Sequence, residues 1–175
     1  QRFVDEGYNI PKPSIPISGL PMAIQATKSL PEAINYYFIL RNNINQDDNL
    51  VNLIKKQFSN TYFQQLNNVT EGQACTVNEG IKQLKTNNLI YNQIITVGVC
   101  DAGIKYNSKK LENLFNDKSI DVLVWTRKTD HISENNPNMF GWVYHENNII
   151  KKVLVKKSFS SNVNTVVITG IFSFR

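Results

Sequence analysis

The chain has 175 residues and a mass of 20.0 kDa, with 41% hydrophobic and 19% charged residues, which supports one core and excludes a disordered tail. Lys+Arg 19 against Asp+Glu 14 gives a net charge of +5, with the lysines in scattered doublets (Lys55-Lys56, Lys109-Lys110, Lys151-Lys152, Lys156-Lys157). Without a motif or a basic arm this scatter excludes a nucleic-acid binder but suits a small polyanion, and no apolar run nears the roughly 20 residues of a membrane-spanning helix.

In chain order, Pro11, Pro13, Pro16 and Pro21 forbid a helix until Pro21, which suits the first turn of one running to Leu30. Tyr36 to Leu40 is an apolar run of the kind buried on both faces of a sheet. Asp47 or Asp48 caps a helix to Phe58, with Leu50, Leu53, Ile54 and Phe58 at helical spacing. Thr61 to Leu66 is a strand. The Glu71-Gly72 turn opens a helix with Ala74, Val77, Ile81 and Leu84 on one face, and Gln93 to Cys100 is a second buried strand ending at Asp101. Ser108 caps a helix to Phe115, and Ile120 to Trp125 is a third buried strand. After a polar loop from Asp130 to Asn138, three strands follow without helices, at Phe140 to His145, Ile149 to Val155 and Val163 to Phe174, joined by the turn Glu146-Asn147-Asn148 and the loop Ser158 to Asn162.

This order predicts a three-layer α/β/α fold, Rossmann-like and GT-A-type, with a mixed, mainly parallel central sheet and an antiparallel extension in the C-terminal third. We expect a single domain over 1–175, with a nucleotide-binding half (1–127) and an acceptor-binding half (128–175). Cys75 and Cys100, with no CxxC spacing, are read as buried free thiols of a cytoplasmic protein. The opening residues, Gln1 to Glu6, lack the basic start and apolar stretch of a signal peptide. The many asparagine doublets are read as compositional bias. His131 and His145 have no partner at metal-ligand spacing, and Trp125 and Trp142 are assigned to the core or a pocket wall.

Ligands of open α/β sheets bind at the carboxyl ends of the strands, and Asp101 stands directly after the strongest one. On position alone it either caps the chain or holds Mg²⁺. The N-terminal segment adds Gln1-Arg2-Phe3, then Pro11-Lys12-Pro13, then Gly19-Leu20-Pro21-Met22. It resembles the signature of the sugar-phosphate nucleotidyltransferases (nucleotide-sugar pyrophosphorylases). In that family a glycine-rich loop ends in Arg-Phe or Arg-Leu and is followed by Pro-Lys-Pro and Gly-x-Pro-Met. Thr70 to Thr76 resembles the family's nucleotide-recognition turn and Val99-Cys100-Asp101 its strand-ending metal aspartate. Phe140-Gly141, Lys156-Lys157 and Thr169 to Phe172 follow the order of its acceptor half.

The resemblance implies transfer of a nucleoside monophosphate from a nucleoside triphosphate to a sugar 1-phosphate or related phosphate, with release of pyrophosphate, for surface polysaccharide precursors. It implies catalytic roles for Arg2, Lys12 and Lys156, nucleotide contacts from Gln1, Asn67, Glu71 and Gly72, acceptor contacts from Gly141 and Thr169, and Mg²⁺ on Asp101. Three departures stand out. The glycine-rich loop and strand before Arg2 are absent, as is a second metal aspartate past Phe174, so we expect a piece of a longer chain. Val155 replaces a glutamate that binds sugar hydroxyls in the family, which admits a non-sugar phosphate acceptor. A non-catalytic nucleotide-binding domain of the same fold and a GT-A glycosyltransferase are the alternatives, and a homo-oligomer is left open.

Overall fold

In a computed structural model of the chain, residues 2–42, 48–86, 93–159 and 164–175 are described. The proline-rich start is more ordered than expected. A one-turn helix, α1 (Arg2–Asp5), precedes the first proline, and a 3₁₀ turn spans Lys12–Ser14. The expectation of no helix before Pro21 is thus corrected. Pro13 falls in the first turn of the 3₁₀ segment, where a missing N–H costs nothing. Ile15, buried, anchors this segment, and its carbonyl accepts from the Met22 N–H at 2.8 Å. A short hairpin, β1 (Pro16–Ile17) and β2 (Leu20–Pro21), turns through Ser18 and Gly19, both left-handed, into α2 (Met22–Ser29).

β3 (Tyr36–Arg41) and β4 (Thr61–Leu66) run parallel, from Tyr36 opposite Thr61 to Arg41 opposite Leu66. α3 (Asp48–Gln57) makes the crossover, and α4 (Gln73–Thr86) follows β4. Ile54 and Ile24 are fully buried and form a core with Leu50 and Phe58, against which Tyr36, Phe38 and Phe63 pack. The spacing of Leu50, Ile54 and Phe58 is the helical period that the sequence displays. β3 is half-buried, not buried on both faces, because β4 is its one strand partner among the described residues. On α4, Val77, Ile81 and Leu84 are half-buried while Ala74 and Cys75 are exposed, so Cys75 is a free but not a buried thiol.

The remaining strands are β5 (Ile95–Val97), β6 (Val122–Arg127), β7 (Gly141–Glu146), β8 (Ile149–Val155) and β9 (Thr165–Phe174), with α5 (Ser108–Asn116) between β5 and β6. They form a five-stranded sheet in the order β5-β9-β7-β8, with β6 also on β9. A mainly parallel sheet is not what the described residues show. The parallel ladder is β3–β4, and every ladder of the five-stranded sheet is antiparallel. The reason is β9, ten residues long, which runs back between β5 and β6. Those two strands are co-directional but are joined through an antiparallel neighbour. The mixed α/β character holds.

Three local details differ from expectation. Asn107, not Ser108, caps α5, its side chain accepting from the Lys110 N–H. The polar loop contains α6 (His131–Asn135), closed by a capping box in which Asp130 and Ser133 satisfy each other's backbone N–H groups. The asparagines also have conformational work: Asn147 and Asn148, both left-handed (φ 51° and 63°), form the two-residue turn from β7 to β8. Among the described residues no helix is long and apolar enough to cross a membrane.

Candidate active site

Lys12 and Asp101 meet. They lie 89 residues apart in sequence, and the Lys12 ammonium donates a short, charge-assisted hydrogen bond to Asp101 Oδ2. Both side chains are more than a third exposed, so the pair lies open to a ligand. The 3₁₀ turn, its φ values set by the flanking prolines, delivers Lys12 from one side. Its ammonium also stands 5.6 Å from the centre of the Phe3 ring, which is edge-on to Tyr8.

Asp101 arrives from the other side, four residues past β5. The chain around it is pinned to the C-terminus of α2. A Cβ on Gly98 would come within 2.7 Å of Leu30 Cδ1, and the Ile104 N–H donates to Ser29 Oγ at 3.0 Å. Next to Asp101, burial and then the Asp101 charge push the Cys100 thiol up, against the opposing effect of Lys12, so it is held as a neutral thiol.

A single carboxylate cannot cage a metal alone, and among the described residues no group of three or more His, Cys, Asp or Glu is assembled to do so. One accessible carboxylate beside a lysine does fit a Mg²⁺ that brings its remaining oxygen ligands from substrate phosphates and water.

The turn expected to face the nucleotide follows β4. Glu71 and Gly72 are exposed, and the Gly72 carbonyl lies 3.2 and 3.3 Å from the hydroxyls of Thr70 and Thr76, one of which donates to it while the other donates to its fellow hydroxyl. A Cβ on Gly72 would meet nothing within 4 Å, so the fold itself does not require glycine there. Asn67, at the carboxyl end of β4, accepts from Asn42 Nδ2 at 3.0 Å, which ties the ends of the two parallel strands. Gln1 lies outside the described residues. Arg2 is the first residue of α1, and its side chain lies outside the described residues.

The residues expected on the acceptor side gather at the meeting of β7, β8 and β9. Lys156, left-handed at φ 57° and exposed, donates its N–H to the Phe140 carbonyl at 2.9 Å, while Val155 pairs with Gly141. Gly141 has a packing reason for being glycine, since a Cβ would stand 3.0 Å from Ile168 Cδ1. Thr169 is also engaged: its hydroxyl donates to the Trp125 carbonyl at 2.8 Å, where β6 bulges between Val124 and Thr126. Trp142 is buried and donates to the Pro137 carbonyl, and Trp125 donates to Ser173 Oγ.

One residue that sequence reasoning passed over joins these parts. Gln73 Nε2 donates to the Gly170 carbonyl at 2.7 Å, across 97 residues. Its signal was its place, directly after Gly72 at the start of α4.

Together these elements define a sugar-phosphate nucleotidyltransferase-like fold. The chain is similar to a nucleoside-diphosphate-sugar pyrophosphorylase from Vibrio cholerae RC9, at a TM-score of 0.71 and 20% identity, over 99% of this chain and 68% of that one. It is also similar to the inositol-1-phosphate CTP transferase from T. maritima, at a TM-score of 0.66 and 14% identity, over 95% of this chain and 62% of that one. At such identities the likeness is one of fold. No protein-family model matches the sequence. No curated protein matches it significantly either.

Proposed function

We propose that the chain carries the catalytic centre of a nucleotidyltransferase, which moves a nucleoside monophosphate from a nucleoside triphosphate to a sugar 1-phosphate or another small phosphate monoester. The observation that carries this reading is the meeting of Lys12 with Asp101 at the carboxyl end of β5, on a fold shared with a pyrophosphorylase and a CTP transferase.

In the reaction an oxygen of the acceptor phosphate attacks the α-phosphorus, the bond to the bridging oxygen breaks, and pyrophosphate leaves. No covalent enzyme intermediate is needed. The work is bringing two anions together and stabilising the charge that builds on the leaving group. Lys12 turns from Asp101 to the α-phosphate and the incoming oxygen, and Arg2 takes the β- and γ-phosphates with its planar fork. Asp101 holds Mg²⁺, which when bound with the triphosphate neutralises phosphate charge. Lys156 receives the acceptor phosphate. Gln1, Asn67, Glu71 and Gly72 are assigned to the nucleotide, and Gly141 and Thr169 to the acceptor.

The side chain of Val155 is 71% exposed beside Lys156 and offers no carboxylate for sugar hydroxyls, which favours extending the acceptor class to amino-alcohol and amino-acid phosphates. The proposed setting is a bacterial cytoplasm, in the supply of surface polysaccharide precursors.

The test is pyrophosphate release with each of the four nucleoside triphosphates and a panel of phosphate acceptors. Release should need both acceptor and Mg²⁺, and should vanish in Lys12→Ala and Asp101→Ala. Nucleotide binding without release would instead identify a binding domain, and sugar transfer from a nucleotide sugar would identify a glycosyltransferase.

A further inference from the structure

Three segments converge on one peptide unit, that of Gly170. Gln73, the first residue of α4, reaches it from the nucleotide turn, and the turn is itself closed by a 2.6 Å hydrogen bond between the hydroxyls of Thr70 and Thr76. From the β5 side comes Val99, two residues before Asp101: a Cβ on Gly170 would stand 3.2 Å from Val99 Cγ1. On the acceptor side, Thr169 ties β9 to β6 through the Trp125 carbonyl, and Ile168 packs on Gly141. Gly170 is left-handed (φ 84°), a conformation glycine adopts without steric cost, and its carbonyl accepts from Gln73.

A glutamine is suited to this place. It is uncharged, so it adds nothing to the field at the phosphates, and its amide is long enough to bridge a helix start and a strand. Transfer requires the α-phosphorus, set by the nucleotide turn, to lie in line with an acceptor oxygen set by β9, and a misplacement of about 1 Å costs on the order of 10²-fold in rate. We propose that Gln73 is a positioning residue of the transfer reaction, fixing the nucleotide turn relative to the acceptor strand through the Gly170 carbonyl. This rests on the nucleotidyltransferase reading above.

The experiment compares the wild-type protein with Gln73→Ala and with the nearly isosteric Gln73→Glu, whose carboxylate cannot donate to a carbonyl. Steady-state pyrophosphate release gives kcat and both KM values, and calorimetric titration gives nucleotide affinity. Both variants should lose at least about tenfold in kcat, while each KM and the nucleotide affinity move less than about threefold. A residue that only stabilised the fold would lower the melting temperature and leave kcat of the folded protein unchanged. In the wild-type protein, where no variant has to fold, the Gln73 side-chain amide resonance should shift further when acceptor joins bound nucleotide than with nucleotide alone. An active wild type with kcat retained in the variants, with the whole loss in KM, or with no further shift of that resonance overturns the positioning role and leaves the nucleotidyltransferase reading standing. A wild type that neither binds nucleotide nor releases pyrophosphate overturns both.

Discussion

Replacing Gly170 by alanine isolates how much of the site's geometry is held by one backbone conformation. Gly170 has φ 84°, where an L side chain is strained by about 1–2 kcal/mol. The added Cβ would also stand 3.2 Å from Val99 Cγ1, close enough that Val99 must yield by a few tenths of an ångström. Overpacking of this mild kind adds about 1 kcal/mol, the lower end of its usual range. Gly170→Ala should therefore destabilise the chain by about 2–3 kcal/mol, a fall of roughly 4–12 °C in Tm for a chain of this size. The two contributions separate in a double-mutant cycle. In a Val99→Ala background the crowding is gone, and Gly170→Ala should cost only the backbone strain, about 1 kcal/mol less than in the wild type. Gly170→Asn, whose residue tolerates the left-handed region better, should lose less strain energy than alanine. Urea unfolding followed by circular dichroism gives all four corners of the cycle. A Gly170→Ala variant within about 0.5 kcal/mol of wild type would refute the left-handed assignment, and an identical cost in both backgrounds would refute the contact with Val99.

Thr169→Val should cost about 1–3 kcal/mol by leaving the half-buried Trp125 carbonyl without its donor, and Thr169→Ser should recover most of it in the same unfolding assay. Ile54→Ala, at a fully buried position between α3 and β3, should cost about 2–5 kcal/mol by urea unfolding. The Asp130 carboxyl is held down at about 2, first by the Ser133 backbone N–H and then by its hydroxyl, with Arg127 adding less. Its folded pKa lies below its unfolded one, so the unfolded chain binds more protons in between. The stability it contributes is present above about 4 and is lost as pH falls toward 2. Thermal melts from pH 5 to 2 should therefore fall less steeply in Asp130→Asn, which keeps a capping side chain but does not titrate.

What the sequence made legible was whatever local pattern decides. The aromatic run at Tyr36, the short stretch from Thr61 to Leu66 and the period of Leu50, Ile54 and Phe58 each fix an element with no knowledge of its neighbours, and each element is found. The order of the N-terminal motif led to a likeness of fold that a pyrophosphorylase structure bears out, but not to the strand directions of the five-stranded sheet. The pairing in the sheet was not legible, because β9 takes its place between β5 and β6 by contacts across 40 to 79 residues, which no window of sequence contains. Thr169 shows the same limit at the scale of one side chain: its hydroxyl is engaged by a bulge on another strand. α6 was missed although its signal was present, since Asp130 and Ser133 have capping-box spacing but the segment carries little apolar periodicity. The turn at Glu146-Asn147-Asn148 was legible between its two apolar strands, and the residue's tolerance of positive φ is what the chain uses there.

β8 ends the five-stranded sheet, and that has a consequence for how the protein behaves when concentrated. Among the described residues its outer edge has no strand partner and lies next to exposed Ile149, Val153 and Val155, the makings of a template on which further strands could be laid. Lys152 stands at the midpoint of the strand, so a second copy docking antiparallel about that point would set lysine against lysine. Lys151 carries the same charge one residue away. Growth by sheet extension is therefore opposed by like-charge repulsion at the first added strand, and that opposition weakens as salt screens it. In that register it is Lys152 that opposes the first added strand, with ionic strength setting how firmly, while the Lys151 charge is partly met by Glu146 at 4.0 Å.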